Sequence, residues 1–317
     1  MGFGELLGNE RLKENLSGSL RRDRVSHFYL IAGPAGSGKR TLARMLAAGL
    51  LCQGSDMPCG QCPACRKVFA GTHPDFITVD DPEKKTVPVD LIRQARADIY
   101  IRPNEGKRKI YLFPRAQDMG VPGQNALLKI LEEPPSYGVF LLLTDNPEKL
   151  LPTVRSRCTE LKLLPLPDAL LRRHLSRQFP EAEADAINAA CSRSGGYLGQ
   201  AIQLMEEGGE IAPHVLMFVD ALSNKTPMAL MQLLVPMEKW KRDMLLPALN
   251  QWLETVQAAL ACRAGLPAVS PQARNLSLSR TPAELMHIVT CLKKAIEYTQ
   301  SNVSPAAVCG WLEWSLR

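Results

Sequence analysis

The first half of the chain alternates between short apolar runs and longer segments in which apolar residues recur every three or four positions. Short apolar runs bounded by polar turns predict buried strands, here at residues 28–32, 76–80, 110–113, 139–143 and 159–163. The longer segments predict helices at 9–21, 42–48, 89–101, 124–133 and 147–154. Strands that alternate with helices form a parallel sheet covered on both faces, so the pattern predicts an α/β core.

The strand pattern stops after Leu163, and the rest of the chain has the period of helices. We expect Asp168 to cap a first helix, followed by helices at 182–191 and from residue 197. Thr281 and Glu284 have the spacing of a capping box at the start of a later helix. These shifts predict three domains: a core at 1–163, a small helical lid at 164–208 and an all-helical domain at 209–317.

A glycine-rich loop between the first strand and its helix supplies the first candidate chemistry. Its candidate binding residues are Gly33, Gly36, Gly38, Lys39 and Thr41. Strand, glycine-rich loop and helix is the context of a phosphate-binding loop, whose backbone N–H groups surround a phosphate. The position after the lysine should carry a hydroxyl for Mg²⁺, but it is Arg40, and Thr41 comes one place late. The loop therefore indicates the fold more strongly than it indicates ATP hydrolysis, and ATP binding itself is doubtful.

The residues after the third strand also differ from those that an ATPase uses for hydrolysis. An ATPase of this type carries acidic residues there to hold Mg²⁺ and polarise water, whereas this chain has Pro114 and Arg115. We also expect the positive charge of Arg115 to disfavour Mg²⁺ by repulsion.

Four cysteines interrupt the core within residues 52–65. Cys52, Cys59, Cys62 and Cys65 include two Cys-x₂-Cys spacings, and four thiolates in a tetrahedral array form a closed structural zinc site. An iron–sulfur cluster or free thiols are the alternatives. We read the nearby His73 as an ordinary loop histidine.

Composition and charge set the class of the protein. With 45% hydrophobic and 22% charged residues, the chain is typical of a soluble globular protein, and its net charge of +6 is compatible with nucleic acid nearby. We find neither a signal peptide nor a run of membrane-spanning length. Nine cysteines without a signal peptide favour the reducing cytoplasm, where metal binding is commoner than disulfides.

The chain resembles the bacterial clamp-loader AAA+ family of DNA polymerase III. The resemblance rests on the glycine-rich loop, the four-cysteine insert, the stretch from Ala126 to Pro135 and the triplet Ser156-Arg157-Cys158. It covers about the first 205 residues, and the last hundred match the family's collar domain, which mediates oligomerisation, only in helical character.

This resemblance implies partners and site residues. Motor subunits of the family carry an arginine in the lid, where this chain has Gly199. Three positions used in ATP hydrolysis are altered, at Arg40, Pro114-Arg115 and Gly199, whereas the Ser-Arg-Cys triplet is kept. In this combination the chain resembles the non-hydrolysing, stator-like subunit of the loader. It would then lie in a pentameric ring with gamma/tau-type and delta-type subunits and help to load the sliding clamp on primer-template DNA. The chain would be an accessory subunit of the polymerase holoenzyme and would have no intrinsic ATPase activity. Arg157 would be the catalytic arginine finger acting in trans, flanked by Ser156 and Cys158.

Two other functions remain open at this stage. One is an active gamma/tau-type ATPase motor, against which chain length and Pro114-Arg115 speak. The other is a zinc-containing nucleic-acid-binding protein, in which the basic turns 21–24 and 107–109 contact phosphates.

Overall fold

The structure is a computed structural model that describes residues 2–206, 212–266, 270–301 and 303–316. The chain divides into two compact units. The first comprises Met1–Glu183 and Ser194–Leu204, and the second comprises Ala184–Arg193 and Met205–Arg317. The predicted boundary between residues 208 and 209 lies outside the described residues, and the three-domain division stays a prediction.

A five-stranded parallel sheet forms the centre of the first unit. Its strands are β1 (Phe28–Ala32), β2 (Phe76–Thr78), β3 (Lys109–Phe113), β4 (Gly138–Thr144) and β5 (Thr159–Lys162). They lie in the order β2-β3-β4-β1-β5, and every pairing is parallel. The predicted α/β sheet is confirmed, and each strand lies within two residues of its predicted bounds. All residues of β1, β3 and β4 are buried, as expected for strands covered on both faces.

Helices cover the two faces of this sheet. On one face lie α1 (Glu10–Arg21), α2 (Lys39–Leu51) and α3 (Pro63–Ala70), packed against alternate strand residues such as Ile31 and Leu141. On the other lie α4 (Val89–Asp98), α5 (Val121–Glu132) and α6 (Pro152–Arg155), around the stacked rings of Phe28 and Phe140, whose centroids are 4.6 Å apart. Successive buried apolar residues of β1, β3 and β4 alternate between two apolar clusters on opposite faces, which fixes the register of the sheet.

Three helices follow the sheet in the chain: α7 (Asp168–Gln178), α8 (Ala184–Arg193) and α9 (Leu198–Glu206). The prediction that Asp168 caps α7 is wrong. Pro167 occupies the N-cap position, and Asp168 is the first helical residue, where its carboxylate accepts a hydrogen bond from Arg172 at 2.8 Å. An acidic residue in the first turn still complements the helix dipole, so the residue suits its position for a different reason.

The second unit is helical throughout its described residues. After α8 it contains α10 (Pro213–Ser223), α11 (Pro227–Met237), α12 (Arg242–Arg263), α13 (Pro271–Ser279), α14 (Pro282–Gln300) and α15 (Pro305–Ser315). Its core surrounds the buried Trp252, which stacks on Phe218 at 4.2 Å. The predicted capping box of α14 is confirmed, since Thr281 accepts from the Glu284 N–H and Glu284 accepts from the Thr281 N–H. Across the described ranges, we find no helix that is both long and apolar enough to cross a bilayer.

Candidate functional site

The phosphate loop (residues 33–41) connects the carboxyl end of β1 to the start of α2. Gly36 and Gly38 have φ angles of 73° and 94°, a region that side chains disfavour, and Gly38 is the N-cap of α2. The Lys39 ammonium group donates to the carbonyl oxygens of Gly33 and Pro34 at 2.5 and 2.8 Å. Burial lowers the pKa of Lys39, an effect that the charge of Asp145 opposes. Lys39 thus closes back on its own loop.

The first turn of α9 lies directly against this loop. The Gly199 N–H donates to the Gly36 carbonyl at 2.9 Å, and the Gln200 amide donates to the Ala35 carbonyl at 2.9 Å. A Cβ at Gly199 would lie 2.7 Å from the Gly36 Cα, closer than side chains approach. The approach therefore requires glycine on both sides, and the backbone of α9 takes up the outer surface of the loop.

A cavity of about 490 Å³ opens beside the loop. Leucine side chains from the N-terminal segment line one side and the start of α9 lines the other; the lining includes Leu6, Leu7, Leu166, Tyr197 and Ile202. Ser37, Thr41 and Pro114 also reach it, and the buried Ser37 hydroxyl finds no hydrogen-bond partner among the described residues. Of the five predicted phosphate-binding residues, all but Gly33 therefore line one cavity together with the end of β3.

Arg115 lies where an ATPase would carry an acidic residue, and its guanidinium group is fully engaged. It donates to both Asp80 oxygens, the closest at 2.7 Å, and to the carbonyls of Asp81 and Lys84 at 2.8 and 3.0 Å. The hydrogen bond to Asp80 raises the pKa of Arg115. The expectation of a free positive charge repelling Mg²⁺ needs correction, because Asp80 neutralises that charge. Sequence reasoning missed this partner, although Asp80 follows β2 at the same carboxyl edge of the sheet.

The triplet Ser156-Arg157-Cys158 follows α6 and precedes β5. The Ser156 hydroxyl donates to the Thr153 carbonyl at 3.3 Å, and the Cys158 thiol donates to the Val154 carbonyl at 3.2 Å. Burial raises the pKa of Cys158 to about 12, which leaves a neutral thiol. These two side chains bond back to the α6 turn and set the chain direction on either side of Arg157.

Arg157 itself remains accessible, with 39% of its side chain exposed. It donates to the Thr153 carbonyl at 3.1 Å and contacts Glu132 at 3.4 Å. Arg155 instead forms a shorter ion pair with Glu148, at 2.8 Å. Of the two arginines, Arg157 has the weaker carboxylate contact.

The four cysteines of the insert come together at one point. The sulfur atoms of Cys52, Cys59, Cys62 and Cys65 all lie within 4.8 Å of one another, a cluster that could hold a metal ion. Backbone N–H groups point at these sulfurs, including those of Cys62 to Cys59 at 3.3 Å and Cys65 to Cys62 at 3.4 Å. The N–H groups of Cys62 and Gln61 lower the pKa of the Cys59 thiol to about 6, which favours the thiolate.

Lid contacts with the loop were the second feature that sequence reasoning missed. From the sequence, Gly199 is only a position at which the family's motor subunits carry an arginine. The structure shows that the lack of a side chain at Gly199 permits contact with the backbone of Gly36. His73, read as an ordinary loop residue, is buried, and its Nδ1 accepts from the Asp75 N–H at 3.1 Å.

Comparison with known sequences identifies the family. A family profile described as DNA polymerase III, delta subunit, matches residues 8–167, which is half of the chain. The DNA polymerase III subunit delta′ of Pseudomonas aeruginosa is 41% identical over 179 residues, covering 55% of this chain and 54% of the relative. The DNA polymerase III subunit tau/gamma of Haemophilus influenzae is 35% identical over 176 residues, covering 55% of this chain and 25% of the relative.

The match spans about half the length of the delta′ relative and a quarter of the tau/gamma relative. Among solved structures, a gamma-subunit-related protein of Thermotoga maritima aligns over 95% of this chain and 98% of its own, at 18% identity and a TM-score of 0.44. The profile match and the delta′ relative show that the chain belongs to the DNA polymerase III delta-subunit family, as a delta-prime-like member.

Proposed function

We propose that this chain is a clamp-loader subunit of a DNA polymerase III holoenzyme that hydrolyses no ATP itself and supplies Arg157 to ATP bound by a neighbouring subunit. The observation that carries the proposal is an asymmetry between two sites. In the chain's own phosphate loop, Lys39 and the Gly199 N–H bond to carbonyl groups of the loop, whereas the Arg157 side chain stays accessible.

Its own site keeps the phosphate loop and Lys39 but differs from an ATPase at three positions. Arg40 replaces the Mg²⁺ hydroxyl, and Arg115 replaces the acid that would orient water and is itself bound to Asp80. Gly199 stands where the motor subunits carry the lid arginine, and it packs on the backbone of Gly36. Similarity to tau/gamma subunits makes an ATPase motor the alternative. A motor would have to hydrolyse ATP with Arg40, Pro114-Arg115 and Gly199 at these positions.

Arg157 has the properties that an arginine finger requires. A guanidinium group keeps its charge and can bind two phosphate oxygens at once, so it stabilises charge that develops on a transferred phosphoryl group. Exchanging the Glu132 contact at 3.4 Å for phosphate costs little, because ion pairs between exposed groups are weak. Ser156 and Cys158 contribute only by holding the turn that carries Arg157, since their side chains bond to carbonyl groups of α6.

The cysteine cluster fits one structural zinc ion. Four sulfurs bound to zinc at about 2.3 Å would lie roughly 3.8 Å apart, within the spacing of the cluster. A multi-iron cluster would hold its thiolates further apart because they bind separate irons. All four zinc positions would be filled by protein, so the ion would stabilise the insert and take no part in chemistry.

The partners in this proposal are gamma/tau-type and delta-type subunits in a pentameric ring, with the sliding clamp and primer-template DNA reached through the complex. The test is reconstitution of the loader with Arg157→Ala or Arg155→Ala. Removing an arginine finger lowers phosphoryl transfer by about 10³–10⁵ at the site it serves. We expect the loader with Arg157→Ala to assemble normally. It should lose the DNA-stimulated ATPase activity of the neighbouring site that Arg157 serves, together with most clamp loading.

Arg155→Ala is the matched control, since it removes the same group two residues away. We expect it to leave both activities near wild type. An assembled Arg157→Ala loader with unchanged ATPase activity and clamp loading would show that the in-trans role is wrong. Failure of the wild-type chain to assemble with the other subunits would contradict the loader proposal itself.

A further inference from the structure

Two basic turns that are distant in sequence lie side by side in the first unit. The first covers residues 21–24, before β1, and the second covers residues 102–109, before β3. An ion pair of 2.7 Å between Arg108 and Asp23 joins them. Because amino ends of parallel strands share one edge of the sheet, both turns lie at the edge opposite the phosphate loop. We call this surface the basic edge.

The second basic turn is held in place by a buried carboxylate. Asp75 is fully buried and accepts hydrogen bonds from the backbone N–H groups of Asn104, Glu105 and Gly106 at 2.6, 2.8 and 2.7 Å. Gly106 packs so closely on Leu51 that a Cβ would lie 2.4 Å from its side chain. The turn is therefore rigid before any partner binds.

The first basic turn is also fixed. Asp23 has a φ of 51°, and the Arg24 N–H donates to the Ser19 carbonyl at 3.0 Å, which ends α1 in a tight turn. This geometry directs consecutive side chains outward, and Arg21, Arg22 and Arg24 are all exposed.

Positive charge at the basic edge is in excess. Arg21, Arg22, Arg24, Arg102 and Lys107 are exposed, and within the described part of the chain they form no ion pair. Neighbouring acids are already engaged, Asp23 with Arg108, Glu105 with Lys67 and Asp98 with Lys109. A rigid surface with surplus guanidinium groups fits closely spaced phosphates.

An exposed aromatic ring adjoins these charges. Tyr100, at the end of α4 and two residues before Arg102, is 60% exposed. Its carbonyl accepts from the Tyr137 hydroxyl at 3.0 Å, so its backbone is anchored while the ring faces solvent. An exposed ring beside a basic track is the arrangement on which unpaired bases stack.

We propose that the basic edge binds a single-stranded nucleic acid, with phosphates on Arg22, Arg24 and Lys107 and an unpaired base on Tyr100. The site uses neither the phosphate loop nor Arg157, so it stands apart from the loader proposal. The isolated chain should bind the strand without ATP and without other subunits.

The test measures binding of the full-length chain to a labelled oligo-dT strand by fluorescence anisotropy across a salt series. Each lost phosphate contact lowers the slope of log K against log salt by about 0.7 for a single strand. We expect Arg22→Ala/Arg24→Ala/Lys107→Ala to weaken binding at least tenfold and to reduce the slope by about 2. The matched control, Lys162→Ala/Arg173→Ala/Arg177→Ala, removes three exposed cations elsewhere in the same unit and should change neither quantity appreciably.

Tyr100→Ala distinguishes stacking of an unpaired base from attraction between charges. We expect a loss of about fivefold or more for oligo-dT and none for a duplex, because a duplex offers no unpaired base. The proposal is wrong if the two triple variants bind alike, if the wild-type chain does not bind at low salt, or if it prefers the duplex. It is also wrong if polyglutamate competes as well as oligo-dT at equal charge, since the surface would then suit an acidic protein.

Because this binding is measured on the chain alone, its failure would leave the loader proposal standing. A failed loader reconstitution would equally leave the binding result intact.

Discussion

Single charged residues in this chain act through the backbone groups they bind. Asp75 accepts from three consecutive N–H groups of the loop before β3. Arg115 donates to one carboxylate and three carbonyl groups of the loop after β2. In both cases one side chain satisfies backbone groups that no strand or helix pairs. Loops that lack regular hydrogen bonding gain a defined conformation in this way.

We predict that Asp75→Asn destabilises the protein by about 2–3 kcal/mol. An amide offers one acceptor oxygen and turns its NH₂ group toward the N–H donors of Glu105 and Gly106, so that these donors lose their partner and the buried NH₂ group gains none. Urea unfolding monitored by circular dichroism measures the change. Asp23→Asn is the control, because Asp23 is 84% exposed and should cost less than about 0.5 kcal/mol. An equal effect of both substitutions would contradict this account.

The same residue predicts a dependence on pH. Burial alone would raise the pKa of Asp75, but hydrogen bonds from Asn104, Glu105 and Gly106 outweigh it and hold the pKa below its usual value. A carboxyl group with a lowered pKa stabilises the fold above its unfolded pKa of about 3.9 and loses that contribution as the pH falls through the folded value. The stability difference between wild type and Asp75→Asn should therefore be constant near neutral pH and shrink below about pH 4.

Sequence patterns predicted residues whose partners are close along the chain and missed those whose partners are distant. The capping box of Thr281 and Glu284 spans three residues and was predicted correctly. Arg115 and Asp80 lie 35 residues apart, and Asp75 and Gly106 lie 31 apart. Only the order of strands in the sheet brings such pairs together, and a pattern of apolar residues does not specify that order.

At the scale of elements, the strands were the most predictable and the helix starts the least. Buried strands are marked by continuous apolar runs, whereas helix starts depend on the local backbone. Helix α5 begins at Val121, three residues before its predicted start, because Pro122 fits the first turn of a helix. The helix predicted at 147–154 is a 3₁₀ turn, Pro147–Lys149, followed by the short α6 beginning at Pro152.

The four-cysteine insert is the element most closely tied to its surroundings. Cys65 is buried and its thiol donates to the Ala48 carbonyl of α2 at 3.6 Å. Lys67 of α3 pairs with Glu105 of the second basic turn at 2.6 Å. Order in the insert therefore supports both the helix that follows the phosphate loop and the edge of the sheet opposite to it.

We predict one zinc ion per chain, bound by Cys52, Cys59, Cys62 and Cys65. Metal analysis of the purified protein should give about one equivalent of zinc and no iron. Cys59→Ser should lose the ion and lower the melting temperature, because metal affinity contributes to folding. Cys262→Ser, a change outside the cluster, should keep the zinc. Less than about half an equivalent in protein with reduced thiols would count against the site.

At the scale of the whole molecule, the parts of an ATPase come from separate elements that meet at the carboxyl edge of the sheet. The phosphate loop follows β1, the acidic position follows β3, and the lid position begins α9. In the proposed function, this chain keeps the architecture that brings these positions together and carries different residues at each of them. On this proposal, the fold persists without hydrolysis, because the architecture depends on buried apolar residues whereas hydrolysis depends on a few polar groups at one edge.

The last prediction is that the isolated chain does not hydrolyse ATP. Phosphates entering the loop would have to displace the Lys39 contacts to Gly33 and Pro34. Pro114 and Arg115, the residues directly after β3, can neither accept a proton from water nor bind Mg²⁺, and Arg115 is bound to Asp80. Steady-state phosphate release by the wild-type chain and by Lys39→Ala should therefore be the same and at background. Turnover on the order of 1 per second by the wild type, lost in Lys39→Ala, would instead identify a working ATPase motor.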